Sequence, residues 1–420
     1  MTDLPTFRPR AKGNIIAALD IGSSKICCLI ARAGEAGDIR VIGIGHHVSQ
    51  GVRAGNIVDM ESVQNAVNAT LDAAEDICGE KVNKVVVNFS GGKLSSRHVD
   101  VSLNLNGREA NDNDIERAFA SARSDGFDEN SELIHLVPTH FSLDGQFGIR
   151  DPRGMAGDHL KTRLHMITAH YAPIRTLLTA LNRCHLHTEH VVVSPYASGL
   201  SCLVEDEMEL GSIVIDMGGG TTTLALFSEG QLVHADSVPV GGIHVTNDIA
   251  RLLTTPLNQA ERLKTLYGHA ISSASDDKEI IEVPQVGEDA PEHANHVPKS
   301  ALVRIIQPRL EETLMLVRDR LSLAAASSPI GRRVVLTGGA CQLPGVREMA
   351  QRILERQVRI GRPTRVLGLS DSSSGPAFAT AAGLLVYAIN PEAGMPRFGQ
   401  DLSSNRNIFL QLGQWLKNAI

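Results

Sequence analysis

Residues 15–31 read IIAALDIGSSKICCLIA, and residues 213–227 read IVIDMGGGTTTLALF. Each segment contains an apolar run, an Asp-x-Gly turn and a second apolar run, which predicts two strands joined by a tight turn. Asp20 aligns with Asp216, and a glycine follows each of them two positions later. Because an internal repeat indicates two structurally similar halves, we expect two related lobes that face each other.

The glycine-rich turns suit a phosphate-binding role. Glycine tolerates a positive φ, and its small size lets backbone N–H groups converge on an anion. A carboxylate at the start of such a turn can hold Mg²⁺ through water. A third Gly-Gly turn follows the predicted strand Val334–Leu336, so the three turns together describe a nucleotide clamped between two lobes. We exclude the P-loop fold, because Gly92-Lys93 has Val87 where the first glycine of that motif belongs.

Composition sets the class of protein. The chain has 420 residues, 42% apolar and 21% charged, and a net charge of −7, which argues against nucleic acid as a partner. Six cysteines without a CxxC pair predict six buried thiols in a reducing compartment. The N-terminus lacks the apolar core of a signal peptide, and the longest nearly apolar run, Ala377–Ile389, is shorter than a membrane span. We therefore expect a cytoplasmic protein.

Three segments resemble the two phosphate motifs and the adenosine motif of the actin/heat-shock-protein-70/sugar-kinase superfamily. They are Leu19–Lys25 (LDIGSSK), Ile215–Thr222 (IDMGGGTT) and Leu336–Ala340 (LTGGA). Within that superfamily the chain most resembles the FtsA family of bacterial cell-division proteins, over about residues 15–390. The narrower matches are Gly51–Asp59, His135–Pro138, Gly148–Met155 and Leu343–Val346.

The resemblance implies an α/β, actin-like two-lobed fold of duplicated ribonuclease-H-like domains, with an insertion of the FtsA type and a C-terminal amphipathic helix. The expected division is a flexible arm (1–13), a first-lobe core called 1A (14–89 and 169–205), an inserted subdomain 1C (90–168), a second-lobe core 2A (206–253 and 325–390), a second-lobe insertion 2B (254–324), a linker (391–404) and a membrane-targeting helix (405–420).

The resemblance also implies that ATP lies between the lobes with Mg²⁺. The residues carried over are Gly22, Ser23, Ser24 and Lys25 on one side of the phosphates, Gly218, Gly219, Gly220, Thr221 and Thr222 on the other, and Gly242, Gly338, Gly339 and Ala340 beside the nucleoside. Glu261 and Lys264 resemble the pair that reaches the adenosine, although an i,i+3 surface ion pair has the same spacing. Asp20 and Asp216 are candidates for positioning Mg²⁺ or water. No catalytic base or directly bound metal is predicted, so we expect an ATP-dependent polymer switch with at most slow hydrolysis.

The C-terminal segment Asn405–Ile420 reads NRNIFLQLGQWLKNAI. Its apolar residues fall on one face of a helix, which predicts an in-plane helix on an anionic membrane surface. The proposed membrane contacts are Ile408, Phe409, Leu412, Trp415 and Leu416, with Lys417 among the cations that face the headgroups. A terminal helix packed on the core or on a partner is the alternative, but the preceding linker favours the membrane.

The implied role is cell division. By resemblance, the chain forms filaments with itself, anchors filaments of the tubulin-like protein FtsZ (the Z ring) to the cytoplasmic face of the inner membrane as a peripheral protein, and helps to recruit later division proteins. The acidic C-terminal peptide of FtsZ would dock on the second-lobe insertion. Candidate contacts are Lys299, Arg304 and Arg309, on or just before a helix predicted over Ala301–Leu323, although a solvated helix face accounts for the same cations.

Other functions remain open at this point. A sugar or acetate kinase of the same superfamily would need a carboxylate base opposite the γ-phosphate and would gain little from an amphipathic tail. An actin-like pilus-assembly ATPase also binds ATP, but would not need its own membrane helix. A heat-shock chaperone is disfavoured, because the 31 residues after Ile389 are too few for a β-sandwich domain. A zinc site in Cys184–His190 is also disfavoured, since these residues straddle a helix end and a strand start.

Overall fold

A computed structural model describes residues 15–34, 37–126, 128, 130–287, 294–325, 331–389 and 391. The arm expected at residues 1–13, the expected linker after residue 391 and the amphipathic helix expected at residues 405–420 lie outside these described residues.

The strands and helices follow one another in a mixed order. The strands are β1 (Ile15–Ile21), β2 (Lys25–Ala33), β3 (Ile39–Val48), β4 (Val52–Arg53), β5 (Asn56–Ile57), β6 (Lys84–Phe89), β7 (Ser95–Asn104), β8 (Ser131–Leu143), β9 (Gln146–Ile149), β10 (His159–His170), β11 (His187–Val193), β12 (Ser212–Met217), β13 (Thr222–Ser228), β14 (Gln231–Val238), β15 (Ile280–Val283), β16 (Asn295–Pro298), β17 (Arg333–Thr337) and β18 (Gln357–Ile360). The helices are α1 (Met60–Cys78), α2 (Asp112–Ser124), α3 (Tyr171–Arg183), α4 (Ser194–Cys202), α5 (Glu205–Leu210), α6 (Gly242–Leu252), α7 (Leu257–Tyr267), α8 (Lys299–Ala324), α9 (Val346–Leu354) and α10 (Ala379–Ile389).

The two lobes have sheets of the same design. The first sheet has the strand order β11-β6-β1-β2-β3, and the second has the order β14-β13-β12-β17-β18. In the first, β1 pairs antiparallel with β2 and parallel with β6; in the second, β12 pairs antiparallel with β13 and parallel with β17. Both central strands are buried along nearly their whole length, as expected for a sheet covered on both faces. The predicted internal repeat and two-lobed fold are confirmed.

Helix α1 shows how local signals set an element in this fold. The Asp59 side chain accepts hydrogen bonds from the N–H groups at the start of the helix, and Gly79 ends it with φ 70°. The helical spacing of apolar residues in the sequence predicts a helix at about Met60–Cys78, and these caps explain why the structure confirms both of its ends. The expectation of six buried thiols is wrong at Cys78, which is partly exposed because it is the last residue of the helix; the other five are buried.

The inserted subdomain between β6 and α3 is a four-stranded sheet of order β7-β10-β8-β9, with α2 packed on β7. The sequence of residues 90–168 predicts a mixture of short strands and helices, and the structure shows that this prediction is wrong. Strands β7, β8 and β10 have 10, 13 and 12 residues, and α2 is the one helix within the described part of 90–168. Pro138 reads as a strand breaker, but it lies beside a bulge at Thr139, where the ladder tolerates proline.

The inserted subdomain also packs against the second lobe, on edge strand β14. The His165 ring donates from Nδ1 to the Leu232 carbonyl (2.9 Å) and accepts at Nε2 from the Ser96 hydroxyl (2.6 Å). Ser96 Oγ in turn accepts from the Ala235 N–H at 3.3 Å. Burial holds the pKa of His165 well below its usual value, so the ring is neutral and its Nε2 is the acceptor. The insertion therefore contacts both lobes.

Two helices carry the chain between the lobes. Helix α4 leaves the first lobe and leads through α5 to β12, and α10 returns to pack on β1. The two helices pack so closely that a Cβ on Gly383 would overlap the Ala197 carbonyl oxygen. Only glycine allows this backbone approach, so the junction between the lobes is tightly packed.

The segment expected to form the second-lobe insertion, residues 254–324, contains α7, α8 and the antiparallel hairpin β15–β16, and α6 precedes it. The hairpin lies within the acidic 271–299 segment, for which the sequence suggested an exposed loop or hairpin. Helix α8 extends the predicted helix Ala301–Leu323 by a few residues, and its buried face joins the second-lobe core. Among the residues that the structure describes, no helix combines the length and hydropathy needed to span a bilayer.

Candidate functional site

A cavity of about 490 Å³ lies between the two lobes, within the size range of small-molecule sites. It is lined by nearly all residues that the sequence predicted for nucleotide and magnesium: Asp20, Gly22, Ser23, Ser24, Lys25, Asp216, Gly218, Gly219, Gly220, Thr221, Gly242, Glu261, Lys264, Gly338, Gly339 and Ala340. The structure thus brings together residues that are up to about 320 positions apart in the chain.

The two Asp-x-Gly turns have the same hydrogen bond. The Gly22 N–H donates to the Lys25 carbonyl at 3.0 Å, and the Gly218 N–H donates to the Thr221 carbonyl at 2.9 Å. The repeat seen in the sequence therefore extends to the geometry of the turns. Each turn follows the end of a buried central strand, which places it at the cleft.

The turns meet across the cleft. A Cβ on Gly219 would overlap the Ser24 side chain, and a Cβ on Gly220 would overlap that of Ser23. Within the described residues, nothing accepts a hydrogen bond from the backbone N–H groups of these two glycines and two serines. Four such donors on the wall of one cavity form a suitable cradle for phosphate oxygens.

Helix α6 braces the second turn. The Gly242 N–H donates to the Gly218 carbonyl at 3.0 Å, and the Ile243 N–H donates to the Gly219 carbonyl at 2.8 Å. The positive end of the helix dipole is therefore directed at the glycine turn, which favours an anion there.

Two buried carboxyl groups, Asp20 and Asp216, line the cavity. Burial raises the pKa of Asp20 to about 7, with Lys25 opposing the rise and Asp216 adding to it. Burial also raises the pKa of Asp216, against hydrogen bonds from Ser198 and Thr380 that lower it. Carboxylate oxygens are ligands that Mg²⁺ prefers, and a divalent cation in the cavity would offset the cost of ionising two buried carboxyls, so these donors fit Mg²⁺.

Lys25 holds the segment that leads into α10. Its ammonium donates to the Ala377 carbonyl at 2.8 Å and lies 3.3 Å from the centroid of the Phe378 ring. Lys25 therefore links the first turn to the chain that connects the lobes.

Glu261 and Lys264, which both line the cavity, form a 2.7 Å ion pair. Lys264 also donates to the Gly242 carbonyl (3.2 Å) and to the Thr246 hydroxyl (2.8 Å), and its side chain is only 16% exposed. The pair is thus part of the cavity wall as well as an i,i+3 pair on α7.

Thr222 is the one predicted nucleotide residue that does not line the cavity. Its hydroxyl donates to the Val240 carbonyl at 2.8 Å, and Thr223 lines the cavity instead. Successive residues of a strand point to opposite faces, so the Thr-Thr-Thr run could not reveal which threonine faces the cleft.

Asn88 is a cavity residue that sequence reasoning missed. Its side chain accepts from the Ile21 N–H at 2.7 Å and donates to the Ser194 hydroxyl at 3.1 Å, which ties the end of β1 to α4. The sequence feature that could have identified Asn88 is its position as a polar residue at the end of the β-branched strand Lys84–Phe89.

The three cations predicted for a partner peptide each have an acidic neighbour on this chain. Lys299 pairs with Glu279 (2.9 Å), Arg304 with Asp277 (3.6 Å), and Arg309 with Asp248 and Glu312 (both 2.5 Å). The Arg304 side chain is 74% exposed, whereas that of Arg309 is 29% exposed and fastens α8 to α6.

The fold and the cleft define an actin-like protein of two lobes with a nucleotide-type cleft. Family models match at residues 213–383 ("Cell division protein FtsA") and at residues 91–168 ("SHS2 domain inserted in FTSA"). The chain is 44% identical to the cell division protein FtsA of Rhizobium meliloti (strain 1021), over 99% of this chain and 98% of that protein. It is 31% identical to FtsA of Escherichia coli (strain K12), over 96% of each chain. The chain belongs to the FtsA family of cell-division proteins.

Solved structures agree on the fold. The PilM-PilN type IV pilus biogenesis complex matches with a TM-score of 0.64 and 17% identity, over 90% of this chain and 99% of that chain. MreB5 of Spiroplasma citri bound to ADP matches with a TM-score of 0.52 and 13% identity, over 90% of this chain and 97% of that chain. At such identities the likeness concerns the fold alone, and the family assignment does not favour the kinase and pilus-assembly alternatives.

Proposed function

We propose that this chain binds ATP with Mg²⁺ in the cleft between its lobes and, by nucleotide-dependent assembly, anchors FtsZ filaments to the cytoplasmic face of the inner membrane at the division site. The observation that carries the nucleotide part is the pair of facing turns whose four backbone N–H groups have no acceptor among the described residues. The family membership supports the role in division, including the recruitment of later division proteins.

In this proposal the backbone N–H groups of both turns hold the phosphates, and the pair Glu261–Lys264 holds the nucleoside. Bound Mg²⁺ would offset the phosphate charge. Asp20 and Asp216 orient the magnesium waters, since both carboxyls are buried on the cavity wall. Hydrolysis is slow, and the nucleotide acts mainly as a clamp that favours assembly.

The domain division given above is kept as part of the proposal. The insertion matched at residues 91–168 corresponds to 1C, and the helices α7 and α8 with the hairpin β15–β16 lie within 2B. Each lobe core surrounds one of the two five-stranded sheets.

The tail supplies the membrane contact in this proposal. Residues 405–420 bind an anionic surface through the apolar face that contains Trp415 and Leu416, and the bond of a single tail is weak and reversible. Filaments bring many tails to one surface, and the resulting avidity makes the attachment stable. The cleft therefore controls anchoring by controlling assembly.

The test is electron microscopy of the full-length chain on anionic lipid monolayers. We expect filaments with ATP and Mg²⁺, and sparse unassembled particles when EDTA replaces Mg²⁺. Filaments that form equally well without nucleotide would contradict nucleotide control, and a bare monolayer with ATP would contradict the anchoring role.

The exposed cation Arg304 offers the cleanest test of the partner surface. Charge reversal (Arg304→Glu) is expected to weaken binding of the acidic FtsZ C-terminal peptide about tenfold, since it replaces attraction by repulsion at an interface rim. Fluorescence anisotropy with a labelled peptide measures the change.

The matched control is Arg318→Glu, which reverses an exposed charge farther along the same helix. Equal peptide affinity in the wild type and Arg304→Glu would remove this surface from the proposal. Arg309 is less suitable for the test, because its side chain is only 29% exposed and its pairing with Asp248 fastens α8 to α6.

A further inference from the structure

The junction between the lobes places a buried carboxylate where the two connecting helices meet. Asp216 ends β12 of the second lobe, while Ser198 lies on α4 and Thr380 lies on α10. All three side chains are buried. These residues come from the second-lobe sheet and from the two helices that carry the chain between the lobes.

Both hydroxyls donate to the same oxygen of the carboxylate. Asp216 Oδ2 accepts from Ser198 Oγ at 2.6 Å and from Thr380 Oγ1 at 2.9 Å. Each hydroxyl has one proton, and both protons are used in this way. The 3.0 Å between the two hydroxyl oxygens is therefore a close contact and not a third hydrogen bond.

The other oxygen, Asp216 Oδ1, is left for the cleft. It lies against Gly338, where a Cβ would overlap it, so the glycine of the third turn makes room for the carboxylate. With Oδ2 held by two donors, the rotation of the carboxylate is restricted, which keeps Oδ1 beside Gly338.

We propose that Ser198 and Thr380 are positioning residues, which orient Asp216 toward the magnesium of a bound nucleotide and thereby couple the occupied cleft to α4 and α10. The inference rests on the nucleotide binding proposed above. A carboxylate that is drawn toward the cation pulls on both hydroxyls, and through them on both connections between the lobes.

The geometry makes a magnesium-specific role testable. Thr380 lines the cavity, so a direct contact with the nucleotide would show up with or without the cation. A residue that acts through Asp216 affects only the magnesium-dependent part of the affinity. Groups that orient metal ligands typically contribute about tenfold or more to metal-dependent binding.

The experiment titrates fluorescent ATP into the full chain and into Thr380→Val, which keeps the shape and removes the hydroxyl, with Mg²⁺ and with EDTA. We expect Thr380→Val to bind about tenfold more weakly with Mg²⁺ and within twofold of the wild type in EDTA. Thr380→Ser retains the hydroxyl and should bind as the wild type does. We expect Ser198→Ala to show the same loss of affinity with Mg²⁺ and the same near wild-type affinity in EDTA. This variant replaces Thr380→Val in the test if Thr380→Val does not fold.

A second readout follows the helices themselves. Hydrogen exchange should show that magnesium nucleotide protects α4 and α10 in the wild type and in Thr380→Ser, but not in Thr380→Val. Equal weakening with and without Mg²⁺, or an equal loss in Thr380→Ser, would overturn the inference while the wild type still binds ATP. A wild-type chain that binds no nucleotide would overturn the proposed function as well.

Discussion

Replacing Gly219 by valine (Gly219→Val) is expected to lower ATP affinity about 100-fold. The two glycine-containing turns touch across the cleft, and a Cβ at this position would overlap the Ser24 side chain. A branched side chain there must push the lobes apart or occupy phosphate space, at a cost of roughly 3 kcal/mol, which corresponds to about 100-fold in affinity. Isothermal titration calorimetry of the full chain with ATP and Mg²⁺ measures the loss.

The control for this experiment is the same substitution at Gly375, in the segment before α10. A Cβ there would meet only Gln342 Oε1, at an ordinary 3.6 Å, and Gly375 does not line the cavity. Gly375→Val should therefore keep most of the affinity, and thermal unfolding should show that both variants are folded. An unchanged affinity in Gly219→Val would mean that the phosphates do not lie between the facing turns.

Deletion of residues 405–420 is expected to abolish cosedimentation with anionic vesicles while leaving ATP affinity unchanged. The segment carries the predicted apolar helical face and two cations, and the cleft-lining residues of the described part of the chain all precede it in the sequence. An interfacial helix loses its binding energy when its apolar face is removed. Sedimentation with phosphatidylglycerol-containing vesicles, followed by quantification of the pellet, measures the effect.

A pair of point variants separates the apolar face from net charge. Trp415→Glu places a carboxylate on the apolar face, whereas Gln414→Glu places the same charge on the polar face. We expect the first to remain in the supernatant and the second to sediment nearly as well as the wild type. Sedimentation of the chain without residues 405–420 would show that another surface binds the lipid.

The parts of the fold that were predictable depend on short-range signals. The turn at Gly22 closes on a carbonyl three residues away, and helix α1 is delimited by Asp59 and Gly79 at its two ends. Such features are encoded within a few residues, because their hydrogen bonds connect near neighbours in the chain. Because the strand–turn–strand pattern around Asp20 occurs again around Asp216, the same local signals also predicted that the two lobes have related folds.

The wrong expectations arose where a local pattern was ambiguous. In the insertion, β8 runs through Pro138 as one long strand, because a bulge at the neighbouring Thr139 accommodates the proline. In the threonine run after Gly220, the pleat alone decides that Thr223 and not Thr222 faces the cavity. Neither outcome can be read from composition or spacing.

The sequence by itself determined the duplicated turns, the two-lobed class, the family and the amphipathic character of the tail, because each depends on residues close together in the chain. Only the tertiary structure decided which side chains complete the cleft. Asn88 accepts a hydrogen bond from the Ile21 N–H, 67 residues away in the chain. Ser198 and Thr380, which are 182 residues apart, both donate to the Asp216 carboxylate. Contacts at such separations follow from how sheets and helices pack, and no local pattern records them.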